Sequence, residues 1–210
     1  MKLLVLGATG ATGRLIVKEA KFHGHAVVAL VRNRAAARDL GNATLVEGDA
    51  QQEGALVRAL DGCSAVISSL GTPISTFRKV TLLSTATSML VGAMMAQHIR
   101  RFVCITGVGA GDSRGHGGFL YDNLMRPFLL RSVYEDKNRQ EDIVRASPLD
   151  WVLVRPGILN DKPATGNVQA HTDLSNVHGG AIARADVAKF VVEQVTSDRW
   201  LRQTPLILSP

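Results

Sequence analysis

The sequence predicts a doubly wound α/β fold: a mostly parallel sheet with helices on both faces, one domain spanning residues 1–210 with a small C-terminal lobe. Three observations predict it. Short apolar runs rich in β-branched residues recur along the chain, helical patterns lie between them, and the runs lack the polar alternation of a strand with one wet face. Strands that alternate with helices are joined as parallel strands by right-handed crossovers.

The first run, LLVLG at 3–7, leads into a helical pattern over 11–22. AVVALV (26–31), TLVEG (44–48) and SAVISSL (64–70) follow. Residues 75–98 place Val80, Leu83, Thr87, Leu90 and Met94 at alternating steps of three and four, one face of a long helix. RFVCIT (101–106), DWVLVRP (150–156) and PLILS (205–209) complete the expected strands. Two regions break the alternation. Residues 107–118, GVGAGDSRGHGG, are too glycine-rich for a helix, and they follow a strand, which puts them over the ligand end of the sheet. Residues 157–184 carry Pro163, Gly166, Gly179 and Gly180 and read as a substrate-side lobe with little regular structure.

Composition narrows the function classes. Hydrophobic residues are 46% and charged residues 20%, ordinary globular values that exclude a disordered or collagen-like chain. The formal charge is +6, but the basic residues are dispersed and only 5% of residues are aromatic, so a nucleic-acid partner is not expected. No apolar run is long enough to cross a bilayer, and the five-residue run after Met1-Lys2 is too short for a secretion signal. The expectation is a soluble, cytoplasmic protein with no membrane partner, its oligomeric state open. Cys63 and Cys104 each lie in or beside a strand-like run and read as buried small hydrophobes rather than a disulfide or metal pair.

The stretch GATGATG places glycines at 7, 10 and 13, after a strand and at the opening of a helix. Gly7 would permit the tight turn, Gly10 would let backbone approach a diphosphate, and Gly13 would allow close helix packing. The positive end of the following helix and its free N–H groups would face the phosphates. Strand before and helix after, in the first βαβ unit, make this a dinucleotide seat. The second strand ends without the acid that would bind a ribose 2′-hydroxyl. Arg32 and Arg34 stand there instead, either solvated loop charges or a cationic pair for a 2′-phosphate, so NADP(H) is expected over NAD. At the ends of the third and fourth strands, Asp49-Ala50 would reach the adenine, and Leu70-Gly71-Thr72 would let ribose and nicotinamide pass close to backbone.

Taken together, GATGATG, VRNRA, EGDA, SSLGT, RFVCITGVGAG and WVLVRPGIL resemble the atypical short-chain dehydrogenase/reductases over nearly the whole chain, in particular the NmrA-like group and its flavin-reductase branch. The resemblance implies a Rossmann fold with Gly7, Thr9, Gly10, Ala11, Thr12 and Gly13 around the diphosphate. It implies Arg32 and Arg34 at the 2′-phosphate and Asp49 and Ala50 at the adenine. Leu70, Gly71, Thr106, Pro156, Gly157, Ile158 and Leu159 would then lie on the nicotinamide side.

The catalytic group is less plain. Conventional members of the superfamily use a serine, a tyrosine and a lysine four residues beyond it. Four residues after Tyr121 stands Met125, and four after Tyr134 stands Asn138; Lys137 follows Tyr134 at plus three. The flavin-reductase branch ends its fifth strand in Thr-Ser, whereas Thr106 is followed here by Gly107. Thr106 reads as a group orienting the nicotinamide carboxamide or a substrate oxygen, or simply as a threonine finishing a strand. Lys137 and Glu141, four apart on a helix, read as a solvated ion pair, or with Lys137 turned inward toward a ribose or acceptor; Tyr134 is a weaker candidate proton donor. His116, His171 and His178 are candidate acids, with solvated loop histidines as the plainer reading. Hydride transfer to an electron-poor ring asks the protein chiefly for proximity and dryness. The sequence therefore reads first as an NADP(H)-dependent reductase of a small flavin-, quinone- or other aromatic-type acceptor, next as an NmrA-like redox sensor, and last as a sugar-nucleotide epimerase or dehydratase.

Overall fold

Alternate residues of the central strands feed two separate cores. The structure is a computed structural model that describes residues 1–72, 79–119, 121–125 and 129–209. Its strands are β1 Lys2–Leu6, β2 Ala26–Val31, β3 Thr44–Glu47, β4 Ala65–Ser68, β5 Arg101–Ile105, β6 Asp150–Pro156, β7 Ile158–Asn160, β8 Gln169–His171, β9 Ala181–Ala183 and β10 Leu206–Leu208. Its α-helices are α1 Ala11–Phe22, α2 Glu53–Leu60, α3 Leu82–Ala96, α4 Arg131–Ala146 and α5 Arg184–Glu193.

One sheet of eight strands runs in the order β3-β2-β1-β4-β5-β6-β10-β8, and β7 pairs with β9 in a small second sheet. All neighbours from β3 to β10 are parallel; only the β10–β8 pair is antiparallel. The order reverses between β1 and β4, which makes the crevice beyond their carboxyl ends the place for a ligand. Leu3, Val5, Ala29, Ile67, Val103 and Val152 point to the face covered by α1 and α5, where Ile16, Val17, Val187 and Val191 meet them. Leu4, Leu6, Val28, Val66, Phe102 and Leu153 point to the other face, against Leu56 and Leu60 of α2, Leu90 and Met94 of α3 and Val144 of α4. That two-sided burial is why the strands show no polar face, and each such leucine contributes about 2 kcal/mol.

The expected strands all form, and α1 spans the expected residues. Two expectations are corrected. The helix expected from Ser75 begins at Leu82; residues 73–78 lie outside the described residues, and Lys79, Val80 and Thr81 are not helical. The start of α3 is set from another element. Asp136 of α4 accepts from the Leu83 N–H at 2.8 Å, the Ser84 N–H at 3.4 Å and the Ser84 hydroxyl at 2.5 Å, doing from a distance what a local N-cap residue does. The lobe at 157–184 holds β7, β8 and β9, each of three residues and too short to show a period.

Candidate functional site

The loop between β1 and α1 explains its glycines one by one. Gly7 sits at φ +75°, and a Cβ there would lie 2.5 Å from the Ser69 carbonyl oxygen at the end of β4. A Cβ on Gly13 would collide with the Gly7 carbonyl, so the first turn of α1 can close on the loop only because that Cβ is missing. Gly10 differs. It is exposed, has an ordinary φ of −76°, and an added Cβ would come no nearer the chain than 3.3 Å, to the Gly7 oxygen. The space around Gly10 therefore belongs to a ligand. As N-cap of α1, Gly10 offers no side-chain oxygen, and the first turn carries no acid. The N–H groups of Ala11 and Thr12 find no acceptor among the described residues, so the helix end is open to an anion. Arg14 fastens the loop, its Nε donating to the Thr9 carbonyl at 3.0 Å.

This loop forms the middle of a cavity of about 630 Å³, ample for a dinucleotide-sized ligand. Arg32 closes it at the end of β2, with Gly48, Asp49 and Ala50 at the end of β3. Leu70, Gly71 and Thr72 continue it past β4, and Ile105 and Thr106 past β5. Leu82, Lys137, Leu159 and Arg184 complete the far end. The predicted Gly7, Thr9, Gly10, Ala11, Thr12 and Gly13 all line the cavity.

Five predicted residues are not in its lining. Arg34 turns over β3, donating to the Leu45 carbonyl at 3.0 Å and pairing with Glu47 at 3.5 Å, because Asn33 starts a 3₁₀ turn there by accepting from the Ala35 N–H. Of the expected Arg32–Arg34 pair, only Arg32 lines the cavity. Pro156 is the buried last residue of β6, and Gly157 serves packing: a Cβ would meet Leu208 at 2.5 Å and the Gly180 oxygen at 2.7 Å. Ile158 is 48% exposed, because β7 alternates and it is Leu159 that faces the cavity. The fifth is Tyr134. Its ring is buried, and its hydroxyl bonds to that of Tyr121.

Thr106, Lys137 and Glu141 do come together. The Thr106 hydroxyl donates to Glu141 at 2.8 Å, and the Lys137 ammonium donates to the Thr106 carbonyl. Glu141 is buried rather than solvated. It takes two hydrogen bonds from Arg155, at 2.9 and 2.6 Å, and Arg155 reaches on to Asp112 at 2.5 Å. Arg155 is wholly buried, whereas the Asp112 side chain is 68% exposed. Of the two readings of Lys137 and Glu141, the structure takes the inward one: Lys137 lines the cavity and Glu141 belongs to a buried charged network. Arg155 and Arg184 are the residues the sequence reading missed. An arginine inside the apolar run WVLVRP was the available signal for the first, since a buried charge demands a buried partner. Arg184 carries no local signal; the pairing of β7 with β9 delivers it.

Burial lowers the Lys137 ammonium from its ordinary 10.5 to about 8. A folded value below the unfolded one means the folded protein gives up this proton first, so stability rises with pH between about 8 and 10.5. Denaturation of wild type and Lys137→Met across that range is expected to show wild type gaining on the variant as pH increases; a constant difference would contradict the assignment.

The histidines stay outside the cavity lining. His116 donates from Nδ1 to the Val177 carbonyl at 2.8 Å and stacks on His178, while His171 lies in β8 at the far edge of the sheet. Both cysteines are buried free thiols, pushed up to about 11 (Cys63) and about 12 (Cys104) by desolvation. Among the described residues no three His, Cys, Asp or Glu side chains group as metal ligands, and no helix is long and apolar enough to cross a membrane.

Known proteins resemble this chain in sequence and fold. Residues 7–198 match a family described as NAD(P)H-binding. YhfK of Bacillus subtilis (strain 168), named as an uncharacterized sugar epimerase, is 30% identical over 198 residues, covering 91% of this chain and 86% of that protein. A solved Bacillus halodurans structure, provisionally described as an NAD-dependent epimerase/dehydratase, superposes with a TM-score of 0.84 at 26% identity over all of this chain and 94% of its own. ChuY, an anaerobillin reductase from Escherichia coli O157:H7, gives 0.85 at 24% identity, over all of this chain and 98% of its own.

Proposed function

The chain belongs to the NAD(P)H-binding family of atypical short-chain dehydrogenase/reductases, and from that premise we propose that it is an NADP(H)-dependent reductase of flavin-, quinone- or other aromatic-type acceptors. The observation that carries this reading is the wall of the cavity beyond the glycine loop. Leu70, Leu82, Ile105 and Leu159 give it apolar surface beside Thr106 and Lys137, and among the described residues no tyrosine lines it. Such walls suit a planar ring and exclude water from it.

The cradle fits the cofactor, since the space a Cβ would take at Gly10 is open and the end of α1 is uncapped. The N–H groups of Ala11 and Thr12 would take the diphosphate, Arg32 the 2′-phosphate, and Asp49 with Ala50 the adenine side. When bound, the nicotinamide supplies the hydride. Thr106, its hydroxyl held by Glu141, orients the floor of the acceptor's seat. Lys137 is the group we assign to proton delivery, and it is charged below about pH 8.

The names of the relatives divide between epimerase and reductase. Epimerase chemistry needs an acid and base at the sugar, and the hydroxyl that would serve, that of Tyr134, bonds to the Tyr121 hydroxyl and is not in the cavity lining. Reduction of an electron-poor ring needs the hydride and one proton, and Lys137 suffices for that proton. NADPH oxidation is expected with free flavins or quinones. An absence of turnover across a broad acceptor panel, with tight NADPH binding intact, would replace this reading with that of a redox sensor.

Arg32 tests the choice of cofactor. NADPH is expected to bind about tenfold or more tightly than NADH, as one charge-assisted phosphate contact implies. Arg32→Glu should erase or reverse the difference. Equal affinities in wild type would refute the 2′-phosphate assignment.

A further inference from the structure

We propose that Arg184 selects an acceptor carrying a carboxylate, which it holds at the outer edge of the nicotinamide half of the cavity; this rests on the reading of that half as the acceptor's seat. Arg184 directly follows β9, and the register of β9 on β7, Ala183 beside Asn160, brings it to the cavity wall next to Leu159. β7 follows β6, which lies on the other side of β1 from β2 and Arg32 in the main sheet, while β7 and β9 pair in the small second sheet. The guanidinium is only 23% exposed, yet just one of its nitrogens is engaged, Nη1 donating to Asp161 at 2.8 Å. Its other N–H groups meet no acceptor among the described residues. A guanidinium offers parallel N–H bonds matched to a carboxylate, so half of that recognition surface is open. The Asp161 side chain is 84% exposed, a partner that water already competes for. An incoming carboxylate can therefore take its place without leaving a charge buried and unpaired.

The balance of charge points the same way. Among the described residues that line the cavity, the one carboxylate is Asp49, at the adenine end. Lys137 and Arg184 are both at the other end. The nicotinamide and its ribose carry no negative charge in either oxidation state and neutralise neither. A planar acceptor with a carboxylate answers the apolar walls with its ring and the cationic rim with its anion.

Calorimetric binding of anthraquinone-2-carboxylate, and of its uncharged carboxamide, to the NADP-saturated protein tests this without requiring turnover. Wild type is expected to prefer the carboxylate by about tenfold or more. Arg184→Gln should bind the two probes alike, and Arg184→Lys should keep part of the preference. Equal binding of both probes by wild type, or binding of neither, overturns the proposal whatever the variants do. A preference unchanged in Arg184→Gln also overturns it, and a loss of NADPH affinity in that variant would then assign the arginine to the cofactor. A carboxylate preference that Arg184→Gln removes, in a protein that oxidises no NADPH, supports the role of Arg184 and faults hydride transfer, so the two failures are distinguishable.

Discussion

Gly10→Val is expected to abolish NADPH binding, by about a hundredfold or more, while shifting the melting temperature by only about 3 °C. The two halves of this result come from one geometry. The backbone at Gly10, φ −76° and ψ 163°, is one that valine adopts readily, and the new Cβ would face protein only at the Gly7 oxygen, 3.3 Å away. The folded chain gives by a few tenths of an ångström at most. The branched side chain instead occupies the approach to the end of α1, where a diphosphate would lie against the Ala11 and Thr12 N–H groups. Gly13→Val should behave in the opposite way, losing stability first, because its Cβ would strike the backbone of Gly7. Titration with NADPH alongside thermal melts separates the two. Retained binding in Gly10→Val would show that the loop is only a turn.

Glu141→Ala is expected to cost about 3–5 kcal/mol of folding free energy in urea denaturation, the largest stability effect of any single polar substitution considered. Arg155 is entirely buried, and Glu141 accepts both its Nε and Nη2 hydrogen bonds. Removal of the carboxylate leaves a guanidinium in the interior with Asp112, largely exposed, as its remaining close acid, and strips the Thr106 hydroxyl of its acceptor. Because the cost comes from stranding a charge rather than from the worth of the pair, Glu141→Gln combined with Arg155→Met should recover much of it. A loss below about 1 kcal/mol in Glu141→Ala would place the network in water, not in the protein interior.

The same two sites mark how far the sequence could be read. The glycine spacing and the strand before it were legible because each is a local pattern, and the ends of β1, β2, β3, β4 and β5 gather around one cavity as a doubly wound order requires. Most of what escaped was set by residues distant in sequence, Arg34 being the local exception. Asp136 begins α3 from another helix, 53 residues away from Leu83. Asn33 is ordinary by composition, yet the turn it caps swings Arg34 off the site while Arg32 remains. Whether Lys137 and Glu141 formed a surface pair or turned inward stayed open, because spacing along a helix says which residues share a face, not which face is covered. The covering partner, Arg155, comes from a strand formed later in the chain.

The placement of β10 has a consequence for how the molecule is assembled. β10 lies between β6 and β8, and β10 is the strand through which β8 reaches the main sheet. In vectorial synthesis β10 is made after β8, so the lobe that carries β8 has no docking edge on the main sheet until β10 has emerged. The half of the cavity around the glycine loop draws on residues up to Thr72 and can be organised early, whereas the half bounded by Leu159 and Arg184 belongs to the late-arriving part. During synthesis the chain thus supplies the glycine-loop half of the cavity before the residues of its far wall.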